Sequence, residues 1–236
     1  SEEEGASEEA CSEEASTEEA SGEEERSEDV TKGLFITLEG GDGSGKTTQL
    51  SLLVEWLEQL GRTVVTTREP GGTPLGEELR EIVLHSRGHI TPKSEALIYA
   101  ADRAHHIATK VRPAIQRGDI VVQDRYLDSS VAYQGVGREL GADDVRHISV
   151  WATDGLLPDL TVLLDLEEAL GRERLDVSRT RFDRLEAEEQ NFHARVRAAY
   201  LALAAAEPER FLVLDATQAV DDLAAAIRDR VTSLLS

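Results

Sequence analysis

The run Gly40-Gly41-Asp42-Gly43-Ser44-Gly45-Lys46-Thr47 constrains this chain more than any other feature. It has the form G-x-x-x-x-G-K-[ST]. It follows the apolar segment Leu34–Leu38 and opens a helical pattern over Gly45–Leu60. Strand, glycine loop and helix in that order build a concave cradle for phosphate. Glycines let the backbone wrap closely with its N–H groups pointing inward, and the helix adds its positive N-terminus. In such a cradle Lys46 sets a charge on the β- and γ-phosphates of a nucleotide, and Thr47 offers a hydroxyl to Mg²⁺.

Four further short apolar runs follow at intervals: Thr63–Thr67, Ile120–Gln123, Leu160–Leu166 and Phe211–Leu214. None alternates strictly, as expected of strands covered on both faces. Helical patterns fill the gaps, over Leu75–Leu84, Pro92–Arg117, Gly141–Thr153, Leu185–Ala206 and Val220–Leu235. Pro92 behind Thr91 reads as a first-turn proline after an N-cap, and Gly118 ends that helix. Alternating β and α units predict an α/β fold, a five-stranded parallel sheet with helices on both faces. In such sheets ligands sit beyond the carboxyl ends of the strands.

Residues 1–29 are of another kind, almost wholly Ser, Glu, Ala and Gly, with 14 acidic residues against Arg26 alone. Such a segment buries too little apolar surface to offset its ordering entropy, so a disordered acidic tail or linker is expected there, with one domain over 30–236. The tail carries −13 of the net charge of −22, leaving −9 for the domain. An acidic domain repels phosphate backbones, so nucleic acid is not expected as a partner. The single cysteine, Cys11, lies in the tail. A domain with neither disulfide nor cysteine metal site fits a reducing compartment, and a cytoplasmic location is expected. No apolar run of membrane-spanning length and no signal peptide is present, so no membrane contact is expected from this segment. A chain without methionine reads as a piece of a longer protein, with the tail as an interdomain linker.

A phosphate loop alone does not name an acceptor. The Asn-Lys-x-Asp motif that reads guanine is missing, as is an apolar strand ending in Asp-Glu. The third run ends instead in Asp124-Arg125-Tyr126. An Asp at a strand end facing the loop can hold the hydration shell of Mg²⁺, and Arg125 can reach a transferring phosphoryl group. Phosphoryl transfer asks mainly for positioning and charge neutralisation.

From Leu34 to Leu235 these motifs resemble the thymidylate kinase family. The resemblance is carried by Glu39–Thr48, by Thr67-Arg68-Glu69-Pro70-Gly71-Gly72-Thr73-Pro74-Leu75-Gly76, by Ala101-Asp102-Arg103-Ala104-His105 and by Asp124–Gly135. It implies a nucleoside-monophosphate-kinase fold and ATP-dependent phosphorylation of dTMP to dTDP, in the supply of dTTP for DNA synthesis, with Mg²⁺. ATP would lie on Gly40, Gly41, Asp42, Gly43, Ser44, Gly45, Lys46, Thr47 and Thr48. By the same resemblance Arg103 hydrogen-bonds the thymine ring, with Ser130 and Gln134 as further contacts, and Tyr99 stacks on the base. Tyr133 crowds the sugar 2′ position, Arg68 and Arg125 clamp the acceptor phosphate, and Glu69-Pro70 is a cis junction shaping the pocket. Asp42 organises the metal and the acceptor phosphate, so the implied catalytic set is Asp42, Lys46 and Arg125, and the implied metal set Thr47, Asp42 and Asp124. Asp215-Ala216-Thr217 resembles the family's adenine-side loop. Members of the family are usually homodimers.

With Gly43 and Ser44 where one branch of the family has an arginine, the chain resembles the branch whose mobile lid supplies it. Arg172, Arg174, Arg179, Arg181 and Arg184 cluster between Leu166 and Leu185. They are read as a short lid that closes over ATP phosphates, with Arg172 and Arg179 as the expected contacts. His105 and His106 are read as helix-face residues rather than ligands, and Trp56 and Trp151 as packing residues. Two other readings stay open: a deoxynucleoside kinase using Glu69 as the base for a 5′-hydroxyl, and a non-catalytic nucleotide-binding module regulating a larger protein.

Overall fold

A computed structural model of the chain describes residues 33–86, 88–178, 183–186 and 188–235. Five parallel strands form one sheet in the order β2–β3–β1–β4–β5. They are β1 Leu34–Gly40, β2 Val64–Arg68, β3 Ile120–Asp124, β4 Leu160–Asp165 and β5 Phe211–Asp215. The central β1 is buried at every residue, whereas the edge strands β2 and β5 alternate towards solvent. Register brings the carboxyl ends level. Leu38 of β1 and Arg68 of β2 both pair with Asp124, Gly40 pairs with Leu164, and Asp165 with Asp215. The loops carrying the motifs therefore leave from one edge.

Side-chain alternation along β1 divides the core. Leu34, Ile36 and Leu38 pack with Leu53 and Leu57 of α1 (Lys46–Gln59) and with Ile227 and Val231 of α9 (Val220–Leu235). Phe35, on the opposite face, packs with Ile107, Val111, Tyr126 and Leu127. Further along that face Leu163 of β4 joins Tyr133, Phe192, Val196 and Tyr200. Helix α2 (Pro74–His85) is capped by Thr73, whose hydroxyl accepts from the Gly76 N–H at 3.0 Å.

Four expectations need correction. The helix expected over Pro92–Arg117 is α3 (Pro92–His106), a π-helical turn over Ile107–Val111, and α4 (Arg112–Gln116). Pro113 has no N–H to bond back and its ring displaces the carbonyl one turn earlier, so the helix widens just before it. After β3 the chain forms α5 (Leu127–Ser130) and a second π-helical turn over Val131–Gly137, neither of which periodicity revealed. The lid stretch contains α7 (Glu168–Ser178), and α8 begins at Gln190 rather than Leu185 (Gln190–Ala206). Trp151, near the end of α6 (Ala142–Ala152), is 81 % exposed and lies outside the core clusters of the described residues, while Trp56 lies against the core as expected.

Candidate active site

One cavity of about 640 Å³ runs along the carboxyl edge of the sheet. At one end lie Asp42, Gly43, Ser44, Gly45, Lys46, Thr47 and Thr48; at the other Arg68, Glu69, Pro70, Tyr99, Arg103, Ser130, Tyr133 and Gln134; Asp124 and Arg125 also line it. Residues drawn from four separate sequence segments thus share one wall. Gly40 and Gly41 border a second cavity of about 500 Å³, beneath α7 and α8, as does Arg172. Arg179 and Arg181 lie outside the described residues. Among the described arginines of this stretch Arg174 lies at the phosphate loop, donating to the carbonyls of Gly43 (3.3 Å) and Ala216 (3.1 Å). Arg184 turns away from the loop, to Glu95 and the Val83 carbonyl.

The phosphate loop follows from local chemistry. Gly43 and Gly45 hold positive φ (78° and 94°), which glycine adopts at no steric cost. A Cβ on Gly43 would overlap the Gly171 carbonyl, and one on Gly171 would sit 2.6 Å from the Asp42 carbonyl oxygen, so α7 rides directly on the loop. Lys46 Nζ donates to the carbonyls of Gly40 (3.0 Å) and Gly41 (2.8 Å). Burial, and then the nearby Arg125 charge, lower the Lys46 pKa, while Asp124 and Asp42 pull it back. Asp42 shows the opposite balance: burial works to raise it, but Arg125 and Lys46 hold its carboxyl below the usual range.

Arg125 has a backbone φ of 64°, rare for a residue with a side chain. Its N–H donates to the Leu38 carbonyl (3.0 Å) and its own carbonyl accepts from Gln123 Nε2 (2.9 Å), which holds the turn. The guanidinium meets Asp42 Oδ1 at 2.6 Å and lies 5.1 Å from the centre of the Tyr133 ring. Strain of ~1–3 kcal/mol at such a residue is maintained where surrounding contacts overdetermine it.

In the acceptor half Arg103 is 1 % exposed. It donates to Glu69 Oε2 (2.8 Å), Ser130 Oγ (2.8 Å) and Ser149 Oγ (3.1 Å). Three of its five N–H groups are so engaged, and its place in the cavity wall leaves donors for a ligand. Glu69 gives its other oxygen to His106 Nδ1 (2.9 Å), whose Nε2 lies 2.7 Å from Thr67 Oγ1. His106 is thus a fully buried support of the acceptor wall rather than a helix-face residue, and not a metal ligand. The Glu69–Pro70 peptide is cis. Gln134 Nε2 donates to Glu95 Oε1 (2.9 Å). Burial raises the Tyr99 hydroxyl pKa far above its ordinary value, so it stays protonated. Arg68 pairs with Glu77 at the cavity rim (2.9 Å).

Sequence reasoning missed Arg80, which lines the cavity and donates to the Pro70 carbonyl at 2.9 Å. It also gave no role to Glu39, Ser129 and Tyr200, which form one hydrogen-bonded cluster with Arg125. Six cations, Lys46, Arg68, Arg80, Arg103, Arg125 and Arg174, line this cavity in a chain of net charge −22. Five carboxylates, Asp42, Glu69, Asp124, Asp183 and Glu186, line it too, so the cavity carries a small positive excess where the chain as a whole is acidic.

Mg²⁺, implied by the resemblance, fits the donors present. Asp124 Oδ1 is buried without a hydrogen-bond partner, and Thr47 is exposed at the same cavity. Among the described residues no three His, Cys, Asp or Glu side chains group to hold a metal. Two oxygen donors suit a hard cation that takes its remaining ligands from water and phosphate.

The thymidylate kinase family model matches residues 38–227. A thymidylate kinase of Leifsonia xyli subsp. xyli (strain CTCB07) is 69 % identical over 199 residues, covering 84 % of this chain and 94 % of the relative. One of Clavibacter michiganensis subsp. michiganensis (strain NCPPB 382) is 66 % identical over 204 residues, covering 86 % and 97 %. The crystal structure of a thymidylate kinase from Ehrlichia chaffeensis superposes with a TM-score of 0.69 at 30 % identity, over 84 % of this chain and 98 % of that one. With a five-stranded parallel sheet of the same type and such identity along most of its length, the chain belongs to the thymidylate kinase family.

Proposed function

We propose that the larger cavity is where the family's reaction, ATP-dependent phosphorylation of dTMP, takes place, with the two substrates meeting at Arg125. The supporting observation is that Arg125 contacts Asp42 of the phosphate loop while lining the same cavity as Tyr99, Arg103 and Gln134. Gly40–Thr48 hold the ATP phosphates, with Lys46 on the β and γ groups and Arg174 closing from α7. This adds Arg174 to the expected lid contacts; Arg172 borders the smaller cavity, and Arg179 lies outside the described residues. Arg103, Ser130 and Gln134 read the thymine edge, Tyr99 stacks on the base, Tyr133 crowds the sugar, and Arg68 and Arg125 bind the acceptor phosphate beside the cis Glu69–Pro70 junction.

A dTMP phosphate oxygen attacks the γ-phosphorus in line. A new P–O bond forms as the bond to the β,γ-bridging oxygen breaks, giving dTDP and ADP. The attacking oxygen is already anionic, so no strong general base is required. Thr47 and Asp124, with Asp42 nearby, would hold Mg²⁺, and the bound ion would add charge neutralisation on the phosphates. Lys46, Arg125 and Arg174 bring the chain's own positive charge to the transferring group in a water-poor cleft.

The deoxynucleoside-kinase reading needs Glu69 as a base. Both of its oxygens are taken, by Arg103 and His106. A coupled ADP-release assay with Mg²⁺-ATP and dTMP, dUMP, thymidine, AMP or CMP tests the assignment. Turnover with dTMP, and none with thymidine, is expected; thymidine turnover overturns it.

Residues 30–236 are the whole catalytic unit in this reading, and 1–29 an acidic tail outside it; removing 1–29 should leave kcat and KM unchanged. Exposed Leu97 on α3 and Trp151 on α6, two helices packed against each other, support a homodimer through that face. Light scattering should show a dimer that Trp151→Glu dissociates. A cytoplasmic location follows from the pool of nucleotides the reaction draws on, and fractionation of cells with an antibody to the chain checks it.

A further inference from the structure

Glu39 is the last side chain of β1 before the phosphate loop, and it is fully buried. Its Oε1 accepts from the Tyr126 N–H at 2.7 Å. Its Oε2 accepts from Ser129 Oγ at 2.6 Å and from the Tyr200 hydroxyl at 2.9 Å. Arg125 Nη1 in turn donates to those same two oxygens, each at 3.3 Å. Glu39 and Arg125 are thus linked through two hydroxyls that lie 2.8 Å from each other, so their hydrogens go to the carboxylate directly or from one hydroxyl through the other, and both oxygens accept from the guanidinium.

We propose that Glu39 is a positioning residue for phosphoryl transfer: its carboxylate sets the direction of the Ser129 and Tyr200 hydroxyls so that their oxygens face Arg125 and aim its guanidinium at the transferring group. The inference rests on the assignment of Arg125 to that group. A hydroxyl has one hydrogen, so whichever neighbour accepts it decides what the lone pairs can do. An anionic carboxylate draws the hydroxyl hydrogens towards itself, directly or through the neighbouring hydroxyl, and leaves two acceptors for Arg125. A proton on Glu39 has to sit on Oε2, because Oε1 is occupied by a backbone donor. Glu39 would then donate to Ser129 or Tyr200, and that hydroxyl's hydrogen would turn towards a cation.

The surrounding charges set how easily this happens. Burial, and then Asp128 on α5, push the Glu39 carboxyl up to about 7, against the hydrogen bond from Ser129, the Arg125 charge and the Tyr126 N–H. Asp128 is itself paired with Arg210 (2.6 Å). Lys46 at the start of α1 feels Glu39 as a favourable charge. Tyr133 from the π-helical turn and Tyr200 from α8 both stay protonated. The relay is in its productive direction above that value and reverses below it.

The experiment is kcat and KM for dTMP and ATP across pH 5.5–8.5 for the wild-type chain, Glu39→Gln, the pair Ser129→Ala/Tyr200→Phe, the three changes combined, and Arg125→Ala. Loss of a charge-assisted hydrogen-bond set predicts a fall in kcat of about ten- to a hundredfold in Glu39→Gln, larger than the accompanying rise in KM for dTMP, whose phosphate Arg125 also holds. The ratio of wild-type to Glu39→Gln kcat should rise with pH through neutrality; taking the ratio removes the substrates' own phosphate titration. The hydroxyl pair should show a similar fall, and the triple variant little more than either. A wild-type kcat and profile in Glu39→Gln, or in the hydroxyl pair if Glu39→Gln does not fold, overturns the proposal, as does a loss confined to KM or strict additivity. If Arg125→Ala turns over normally, the assignment of Arg125 itself fails; if only Arg125→Ala is inactive, the relay alone is wrong.

Discussion

Glu69 and Arg103 form an ion pair, Oε2 to Nε at 2.8 Å, in which each side chain is only 2 % exposed. Removing one partner of a buried pair leaves the other charge desolvated, at ~3–5 kcal/mol. Arg103→Ala should therefore lower the urea unfolding free energy by about that amount. The same change removes the donor proposed for thymine, so KM for dTMP should rise by about tenfold or more, roughly one lost charged hydrogen bond. Unfolding curves and steady-state rates measured on one preparation check both effects.

Glycine against glycine docks α7 on the phosphate loop, and Gly171→Ala probes that contact. Inside a helix the change from glycine to alanine favours folding by ~1 kcal/mol, so Tm should hold or rise. The added Cβ meets the Asp42 carbonyl at 2.6 Å and pushes α7 outward. A displacement of that kind at a reacting centre costs about ten- to a hundredfold in kcat. Stability retained with kcat reduced is the expected signature; full activity would show that α7 does not close on the loop in turnover.

Asp102 is buried, its Oδ1 without a hydrogen-bond partner, while Oδ2 accepts from the Gly71 N–H at 3.2 Å. Burial, and then the Glu69 charge, push its carboxyl from 3.8 up to about 7. A folded-state pKa above the unfolded one means that the native protein holds a proton that the unfolded chain has released. Its contribution is complete below pH 4 and is lost as pH rises to about 7. Asp102→Asn carries no such loss. Relative to the wild-type chain it should be more stable above pH 7 by up to about 4 kcal/mol, with the difference vanishing near pH 4. Unfolding free energies at five pH values between 4 and 8 test the sign as well as the size.

Lys46→Met removes the cation on the phosphate loop while leaving the acceptor wall intact. ADP release should fall by at least about a thousandfold, roughly 4 kcal/mol of electrostatic stabilisation. Binding of dTMP, followed by calorimetry without ATP, should be unchanged. Loss of dTMP binding would mean that the two halves of the cavity are not independent.

Most of this architecture was legible before any coordinates. Each strand was a short apolar run bounded by glycine or charge. The phosphate loop, the Arg-Glu-Pro-Gly-Gly segment and Asp-Arg-Tyr are contiguous stretches whose chemistry is local, so residue type and spacing identified them. What local pattern could not supply was anything set by packing between distant segments. Tyr200 reaches Glu39 across 161 positions, and His106 reaches Glu69 across 37; neither is marked by periodicity, because only helix packing decides which face of α3 or α8 turns inward. The exposure of Trp151 and the contact of Arg174 with the Gly43 carbonyl have the same origin. The sequence by itself determined the sheet, the phosphate cradle and the residue types of the acceptor wall. Only the tertiary structure decided which buried groups hold those residues in place, since a carboxylate in a dry interior must find its donors wherever the fold brings them.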